Sequence, residues 1–205
     1  MNYQEFRKAF FDLACFTPNQ VYAWQPGFDK NNLLNWVKKG SLIKLRNGFY
    51  SFPEYLAEPG FELFIANRIY RPSYISLHSA LSFYGMIPEA VVQISSVTSL
   101  KTAGFVNPFG SYSYKSIRAE LMFGYDLKPF SKSRSLLIAQ AEKALLDLLY
   151  LNPYYDNKEE MEALRLDEDF MQDSLNVELL RNYTAKFRNR ALGKRLELLI
   201  TTYGL

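Results

Sequence analysis

The apolar residues of the first 52 positions recur at helical spacing three times and then alternate as they do in paired strands. A first helix over residues 2–14 is indicated by apolar side chains about one turn apart, on Tyr3, Phe6, Phe10, Leu13 and Ala14. Thr17 followed by Pro18 is a typical helix start, with Thr as the N-cap and Pro at the first helical position. A short second helix is therefore expected from Pro18 to about Trp24.

A third helix is predicted from Asp29, as its N-cap, to Lys39, with Gly40 as its natural stop. Residues placed at about 100° intervals fall on two faces of different chemistry. The expected core face comprises Leu33, Leu34, Trp36 and Val37. The opposite face carries amide and ammonium groups, on Asn31, Asn32, Asn35, Lys38 and Lys39.

A β-hairpin is predicted over residues 41–52. Asn47-Gly48 is a strong two-residue turn signal, and β-forming residues lie on both sides of it. Pro53 ends the return strand. Three helices followed by a two-stranded ribbon form the layout of a winged helix-turn-helix, which is the expected fold of this part of the chain.

The rest of the chain predicts a second, α+β domain after a linker at residues 53–60, which contain two prolines and a glycine. Helices are expected at 61–70, 76–84 and 139–151, and helical patterns continue to the end of the chain. An antiparallel sheet of roughly four strands is expected from the segments 91–100, 110–117, 120–125 and 135–138. The predicted fold class is thus α+β, with a winged helix-turn-helix domain at 1–55 and an α+β domain with C-terminal helices at 56–205.

Composition narrows the class of protein. The 205 residues are 48% apolar and 22% charged, which excludes wholesale disorder. No apolar run approaches the ~20 residues of a membrane span, and the charged N-terminus lacks a signal-peptide pattern. One cysteine and one histidine make an intramolecular disulfide and a His-rich metal site impossible. We therefore expect a cytoplasmic protein without metal, cofactor or membrane partner.

The net charge of +3 is unevenly distributed along the chain. Residues 1–52 carry +4, residues 53–152 carry +1 and residues 153–205 carry −2. An excess of positive charge at one end of the chain favours a negatively charged partner, of which nucleic acid is the first candidate. The alternative is that the uneven distribution arose by chance. The candidate DNA-binding residues are Lys30, Asn31, Asn35, Lys38, Lys39, Lys44, Arg46 and Asn47.

Those residue types suit DNA for a chemical reason. Asparagine pairs bidentately with adenine in the major groove, and lysine reaches guanine or phosphate. Lys44 and Arg46, beside the hairpin tip, are expected to lie near the DNA backbone. The alternative is a winged domain that binds protein, because the fold alone does not determine function.

The sequence contains few residues in patterns typical of an active site, and no catalytic residue is predicted. His78 is interpreted as a structural or surface histidine and Cys15 as a buried thiol, and neither is interpreted as catalytic. Lys143 and Asp147 are four apart on one helix, which predicts a surface ion pair of about 0.3–0.5 kcal/mol. The alternatives are a contact surface or a metal-dependent nucleic-acid enzyme that uses Glu142, Lys143 and Asp147.

Two further patterns have alternatives of the same kind. The tyrosines and phenylalanines of residues 109–125 predict core packing and cross-strand pairs, with a base-stacking surface as the alternative. A basic cluster is interpreted as partly a solvated helix face, with contacts to DNA or to the acidic stretch 153–178 as the alternative. It comprises Arg181, Lys186, Arg188, Arg190, Lys194 and Arg195.

Three segments, in the same order, resemble parts of one family. Residues 42–50 (LIKLRNGFY) are similar to its wing, residues 74–88 (YISLHSALSFYGMIP) to its second-domain signature, and residues 139–150 (AQAEKALLDLLY) to its "PEKALLDLLY" helix. Ala141 stands where the family often has Pro, and Tyr84 where it often has His. The family is that of the AbiEi-type antitoxins, transcriptional regulators of type IV toxin–antitoxin and abortive-infection systems.

The resemblance implies two activities and two partners. The N-terminal domain would bind double-stranded DNA at the promoter of its own operon and repress it. The C-terminal domain would oppose a separately encoded nucleotidyltransferase toxin, either by binding it or indirectly. We expect a monomer or a weak oligomer.

Overall fold

The computed structural model describes residues 2–89, 91–131 and 134–205 and is of the mixed α+β class. The helices within these residues are α1 Tyr3–Phe10, α2 Pro18–Trp24, α3 Asn31–Lys38, α4 Phe61–Ile69, α5 Leu77–Phe83, α6 Ala141–Leu151, α7 Lys158–Glu162, α8 Glu168–Asp173, α9 Val177–Phe187 and α10 Arg190–Tyr203. The strands are β1 Cys15–Phe16, β2 Ile43–Arg46, β3 Phe49–Ser51, β4 Ser73–Ile75, β5 Gln93–Thr98, β6 Ala103–Asn107, β7 Gly110–Ser116, β8 Tyr125–Ser131 and β9 Arg134–Ala139. None of the helices described is long and apolar enough to cross a membrane.

The N-terminal unit, residues 2–52, packs α1, α2 and α3 against a small antiparallel sheet with the order β1-β3-β2. Its centre is Phe6, which is fully buried. Five aromatic rings have centroids 4.6–6.2 Å from that of Phe6, on Phe10, Phe16, Phe28, Trp36 and Phe52. Aromatic pairs at these distances contribute beyond their buried area, so this cluster holds α1 and α3 together, and Trp24 of α2 joins it through Phe10 at 5.5 Å.

Local signals placed most of this unit correctly. Helix α2 begins and ends as predicted, and Thr17 and Gln20 cap it reciprocally. The predicted N-cap of α3, Asp29, lies one residue too early, since Lys30 is the N-cap of the observed helix; the Asp29 carboxylate still accepts from the backbone amide of Asn31 at 2.9 Å. The first helix is shorter than predicted, since a 3₁₀ turn over Phe11–Leu13 leads the chain into β1. Strand β1 has only two residues, which is too short for a periodic pattern that would predict it from the sequence.

One core assignment on α3 is wrong. Leu33 and Trp36 are buried as predicted, whereas Leu34 is 46% exposed. The core stripe of this helix follows positions 33, 36 and 37, and Leu34 instead belongs to the solvent stripe formed by positions 31, 34, 35 and 38. The predicted apolar arc was therefore one residue too wide.

The main sheet is mixed rather than antiparallel. Within the described residues it has six strands in the order β6-β7-β5-β4-β9-β8, and two of the pairings, β4 with β9 and β5 with β7, are parallel. Alternation along a segment indicates a strand but not the direction of its neighbour, so the parallel pairs were not predictable. The predicted strand at 120–125 is also wrong: Ala119–Leu121 forms a 3₁₀ turn, and β8 begins at Tyr125.

The second core is built around α6. All of residues 141–149 are buried, because α5, α9 and α10 pack around the helix. Tyr112 and Tyr114 of β7 are fully buried, which confirms the core interpretation of these aromatic positions. Helix α4 packs on β4 and β9 and brings the N-terminal unit close to the sheet.

The predicted linker is packed rather than loose. Pro53–Ala57 forms a 3₁₀ turn, and the buried ring of Tyr55 stacks against Phe11 at 5.0 Å and Phe61 at 4.6 Å. The guanidinium of Arg134 donates to the Glu58 carboxylate at 2.9 Å and to the Tyr55 hydroxyl at 2.9 Å. The division of the chain near residue 55 stays a prediction, but the two parts share a packed junction.

Candidate nucleic-acid interface

The exposed stripe of α3, which we call the α3 face, consists of Asn31, Leu34, Asn35 and Lys38. The spacing i, i+3, i+4, i+7 places these four side chains in one row along the helix. The opposite stripe is fixed in the aromatic core by Leu33 and Trp36, so the row is presented to solvent by the packing of the unit itself. Two amides, one ammonium and one apolar side chain are thereby held together.

Seven of the eight predicted DNA-binding residues are exposed, and they are Lys30, Asn31, Asn35, Lys38, Lys39, Lys44 and Asn47. In the part of the chain that the structure describes, none of the four lysines among them has a carboxylate oxygen within 4.0 Å. Their charge is consequently available to an anionic partner.

The eighth residue, Arg46, is placed differently. It is half-buried, and its Nη1 donates to the backbone carbonyl of Ile69 at 2.7 Å. Its guanidinium also lies 4.7–5.4 Å from the ring centroids of Phe49, Tyr70 and Phe105. Arg46 thus joins the hairpin to the second part of the chain.

The hairpin itself is held along one edge. Gly48 has φ +79°, the left-handed conformation that the predicted turn requires and that glycine adopts without strain. Strand β2 lies beside β6, where the Asn107 amide donates to the Leu45 carbonyl at 3.3 Å. Lys44 and Asn47 remain on the solvent side.

The predicted surface ion pair on α6 is wrong, because Lys143 and Asp147 are both fully buried. They hydrogen-bond to each other, and Lys143 Nζ also donates to the Tyr74 hydroxyl at 2.8 Å. The hydroxyls of Tyr74 and Ser76 each donate to the Asp147 carboxylate at 2.9 Å. We call these four residues the buried polar cluster.

Burial governs the electrostatics of this cluster. It raises the pKa of Asp147 and lowers the pKa of Lys143, and in each case the charge of the partner opposes the shift. Ser76 stands at the start of α5, where a cap was predicted, but its hydroxyl binds Asp147 instead of a helix amide. The cluster therefore joins β4, α5 and α6 and is enclosed by the fold.

The residues considered for catalysis do not converge on an open site. Glu142 is buried, and its carboxylate accepts from the Asn176 amide at 3.0 Å, which anchors the start of α9. His78 is exposed on α5, and among the described residues its ring has no hydrogen-bond partner. In the described part of the chain, no group of three His, Cys, Asp or Glu side chains is placed to hold a metal ion.

The C-terminal basic cluster is divided by the structure. Arg195 is buried, and Arg181 forms an ion pair with Glu197 of the neighbouring helix. The remaining members are exposed, and they are Lys186, Arg188, Arg190 and Lys194. The expectation of a partly solvated face is met by those four side chains.

A second basic feature was missed by the sequence reasoning. Arg68 and Arg71, at the end of α4, line a cavity together with Arg46. The sequence signal that could have indicated them is the pair of arginines in residues 67–71 (NRIYR). The third arginine of the cavity, Arg46, lies more than twenty positions earlier in the chain. Pairing at that distance in sequence is set by the fold alone.

Cys15 borders the same cavity and is half-buried, and burial raises the pKa of its thiol to about 12. The thiolate is the reactive form of cysteine. At pH 8 the deprotonated fraction is roughly a quarter for an ordinary cysteine but only ~10⁻⁴ for Cys15. We expect iodoacetamide to alkylate Cys15 about a thousandfold more slowly in the folded protein than in urea at the same pH. Equal rates, followed by mass spectrometry, would show an accessible thiolate.

Compared with known proteins, the chain matches no protein-family model and no curated protein sequence.

Proposed function

We propose that the N-terminal unit is a winged helix-turn-helix that binds double-stranded DNA. The order of its elements supports this, because a helix and a short strand precede two helices and a hairpin, with the sheet order β1-β3-β2. In such a unit α3 is the recognition helix and the β2–β3 hairpin is the wing. The observation that carries the proposal is the α3 face, a solvent-exposed row with two amides and an ammonium group, next to lysines that form no ion pair within the described residues.

Each side chain of the α3 face has a counterpart in the major groove. Asn31 and Asn35 are suited to the N6 and N7 edge of adenine, and Lys38 to guanine or phosphate. Exposed Leu34, which is otherwise unfavourable in water, is suited to the methyl group of thymine. This pattern favours an A·T-containing half-site.

The surrounding residues would bind the phosphates. Lys30 and Lys39 lie at the two ends of α3, and Lys44 and Asn47 lie on the hairpin. The main role of Arg46 in this proposal is to fix the hairpin, through its hydrogen bond to the Ile69 carbonyl. A direct contact between Arg46 and DNA stays a prediction from the sequence. Phosphate contacts set affinity and orientation, whereas the α3 face sets sequence preference.

The biological role we propose is that of a transcriptional autorepressor and antitoxin that opposes a nucleotidyltransferase toxin. It rests on the resemblance to AbiEi-type antitoxins. All four members of the buried polar cluster come from two of the three resembling segments, since Tyr74 and Ser76 lie in 74–88 and Lys143 and Asp147 in 139–150. In this chain the cluster thus joins two of the resembling segments in the fold.

The DNA-binding proposal is tested with Asn35→Ala/Lys38→Ala, which removes two exposed side chains and leaves the core intact. On a duplex from upstream of the chain's own gene, we expect at least tenfold weaker binding by fluorescence anisotropy. If Lys38 contacts phosphate, its loss should also reduce the slope of log K against log salt by about 1, whereas a contact with guanine would leave the slope unchanged.

The matched control is Lys115→Ala, an exposed lysine on β7 outside the α3 face, which should bind as the parent does. Parental affinity in the double variant would assign DNA binding to another surface. Affinity that does not fall with salt would argue against a phosphate-binding mode altogether.

A second candidate function is protein binding by the N-terminal unit. It is favoured by exposed apolar side chains on this unit, on Leu13, Tyr22, Trp24 and Leu34. A protein partner held by these groups would be lost in Leu34→Glu and little affected by salt, whereas DNA binding falls steeply with salt.

The antitoxin role has its own test. A nucleotidyltransferase encoded beside this gene should arrest growth when expressed alone, and co-expression of this chain should restore growth. If residues 56–205 oppose the toxin, Asn35→Ala/Lys38→Ala restores growth as well as the parent does. Failure of the parent chain to restore growth would refute the antitoxin role and leave the DNA-binding proposal standing.

A further inference from the structure

A cavity of about 460 Å³ lies at the junction between the N-terminal unit and the rest of the chain. Its walls come from both sides, with Cys15, Arg46 and Phe49 on the N-terminal unit and the segment Arg68–Arg71, which begins in the last turn of α4, on the other. Small-molecule sites are typically concave, a few hundred Å³ in volume and placed between structural units. The volume and position of this cavity match that description.

The charge of the cavity is what distinguishes it. Arg46, Arg68 and Arg71 all line it, and none of the described residues that line it is acidic. Within the residues the structure describes, none of the three has a carboxylate oxygen within 4.0 Å, although Arg7, Arg134 and Arg181 are each paired elsewhere. Three like charges around one concave space repel one another unless an anion is bound among them.

The three guanidinium groups are also held in place. Arg46 donates to the Ile69 carbonyl, and Nε of Arg71 donates to the Asn67 carbonyl at 2.9 Å. The guanidinium of Arg68 stacks on the Phe64 ring at 4.6 Å. Burial, and after it the neighbouring charge of Arg71, lowers the pKa of Arg68.

Arginine is the side chain best matched to phosphate, because its planar fork donates two parallel hydrogen bonds to one phosphate group. The cavity also offers aromatic walls, since Phe49 and Tyr70 line it. We propose that this arginine cavity binds the phosphate groups of a nucleoside di- or triphosphate. The proposal does not depend on DNA binding by the α3 face.

Occupancy would have a mechanical consequence. Arg46 belongs to β2 of the hairpin, whereas Arg68 and Arg71 belong to the segment at the end of α4. A ligand that binds all three therefore ties the hairpin to the second part of the chain. Such a ligand stabilises the junction by mass action, because it binds the folded arrangement of the three residues and not the unfolded chain.

The test uses the full chain, with ATP, GTP and inorganic pyrophosphate as probes and adenosine as the probe that lacks phosphate. At about 0.15 M salt, where exposed charges are screened, we expect at least one phosphate probe to bind with a submillimolar Kd by calorimetry and to raise Tm. Adenosine should do neither. If pyrophosphate binds and the two nucleotides do not, the cavity is a phosphate site, and the proposal that it binds a nucleotide is wrong.

Arg68→Gln/Arg71→Gln should weaken the binding of the phosphate probe at least tenfold. The control Arg190→Gln/Lys194→Gln removes the same charge from exposed positions on α10 and should bind as the parent does. Exposed Arg71→Gln alone is the safeguard in case the double variant does not fold. The proposal is overturned if no phosphate probe binds, if the control loses as much affinity, or if Arg68→Gln/Arg71→Gln changes only the affinity for duplex DNA.

Discussion

Asp147→Ala is expected to lower the free energy of unfolding by about 3–5 kcal/mol, because it leaves the ammonium of Lys143 buried without its counter-charge. Lys143 is fully buried, and its surroundings are the Tyr74 hydroxyl and the rings of Phe123 and Phe187, whose centroids each lie 5.0 Å from Nζ. The hydroxyls of Tyr74 and Ser76 would also lose their common acceptor. Urea unfolding followed by circular dichroism measures the change.

The chain contains a matched control for this experiment. Lys158 and Glu162 have the same i, i+4 spacing but are 66% and 57% exposed, so Glu162→Ala should cost no more than about 0.5 kcal/mol. Lys143→Met/Asp147→Leu replaces the buried pair with apolar groups and should recover the part of the loss that comes from the unpaired ammonium, while the Tyr74 and Ser76 hydroxyls still lack their acceptor. A cost below about 1 kcal/mol for Asp147→Ala would contradict the enclosed geometry of the cluster.

The difference between these two pairs shows where sequence reasoning stops. Both pairs have the same spacing on a helix, and the spacing alone predicts a surface contact in each case. What separates them is that Tyr74 and Ser76, some seventy positions earlier, meet Lys143 and Asp147 in the fold. One local signal did exist, since eight of the eleven residues of α6 are apolar and lie on most sides of the helix, as is typical of a buried helix.

The candidate interface was more accessible to prediction because its signals are local. Helix propensity, a capping pair and the Asn47-Gly48 turn placed α2, α3 and the hairpin, and helical spacing placed Asn31, Asn35 and Lys38 in solvent. Contacts between distant segments were not predictable. The Ile69 partner of Arg46, the arginine cavity and the parallel strand pairs all depend on how those segments meet.

The junction raises the question of whether the N-terminal unit unfolds by itself, and Phe6→Ala addresses it. Phe6 is fully buried among five aromatic rings, so the truncation should cost about 3–5 kcal/mol. Phe83→Ala is the matched control, since Phe83 is 46% exposed and its truncation should cost under about 1 kcal/mol. A loss below about 1 kcal/mol in Phe6→Ala would contradict its central place in the core.

Tryptophan fluorescence makes the two parts separately visible, because both tryptophans, Trp24 and Trp36, lie in the N-terminal unit, whereas circular dichroism reports helices throughout the chain. Tyr55 stacks against rings on both sides of the junction, and Arg134 binds both Tyr55 and Glu58. We therefore expect the two signals to shift together in Phe6→Ala, as a single cooperative transition requires. A fluorescence midpoint that falls while the dichroism of the remaining helices holds would mean that the N-terminal unit unfolds independently across a junction weaker than its contacts indicate.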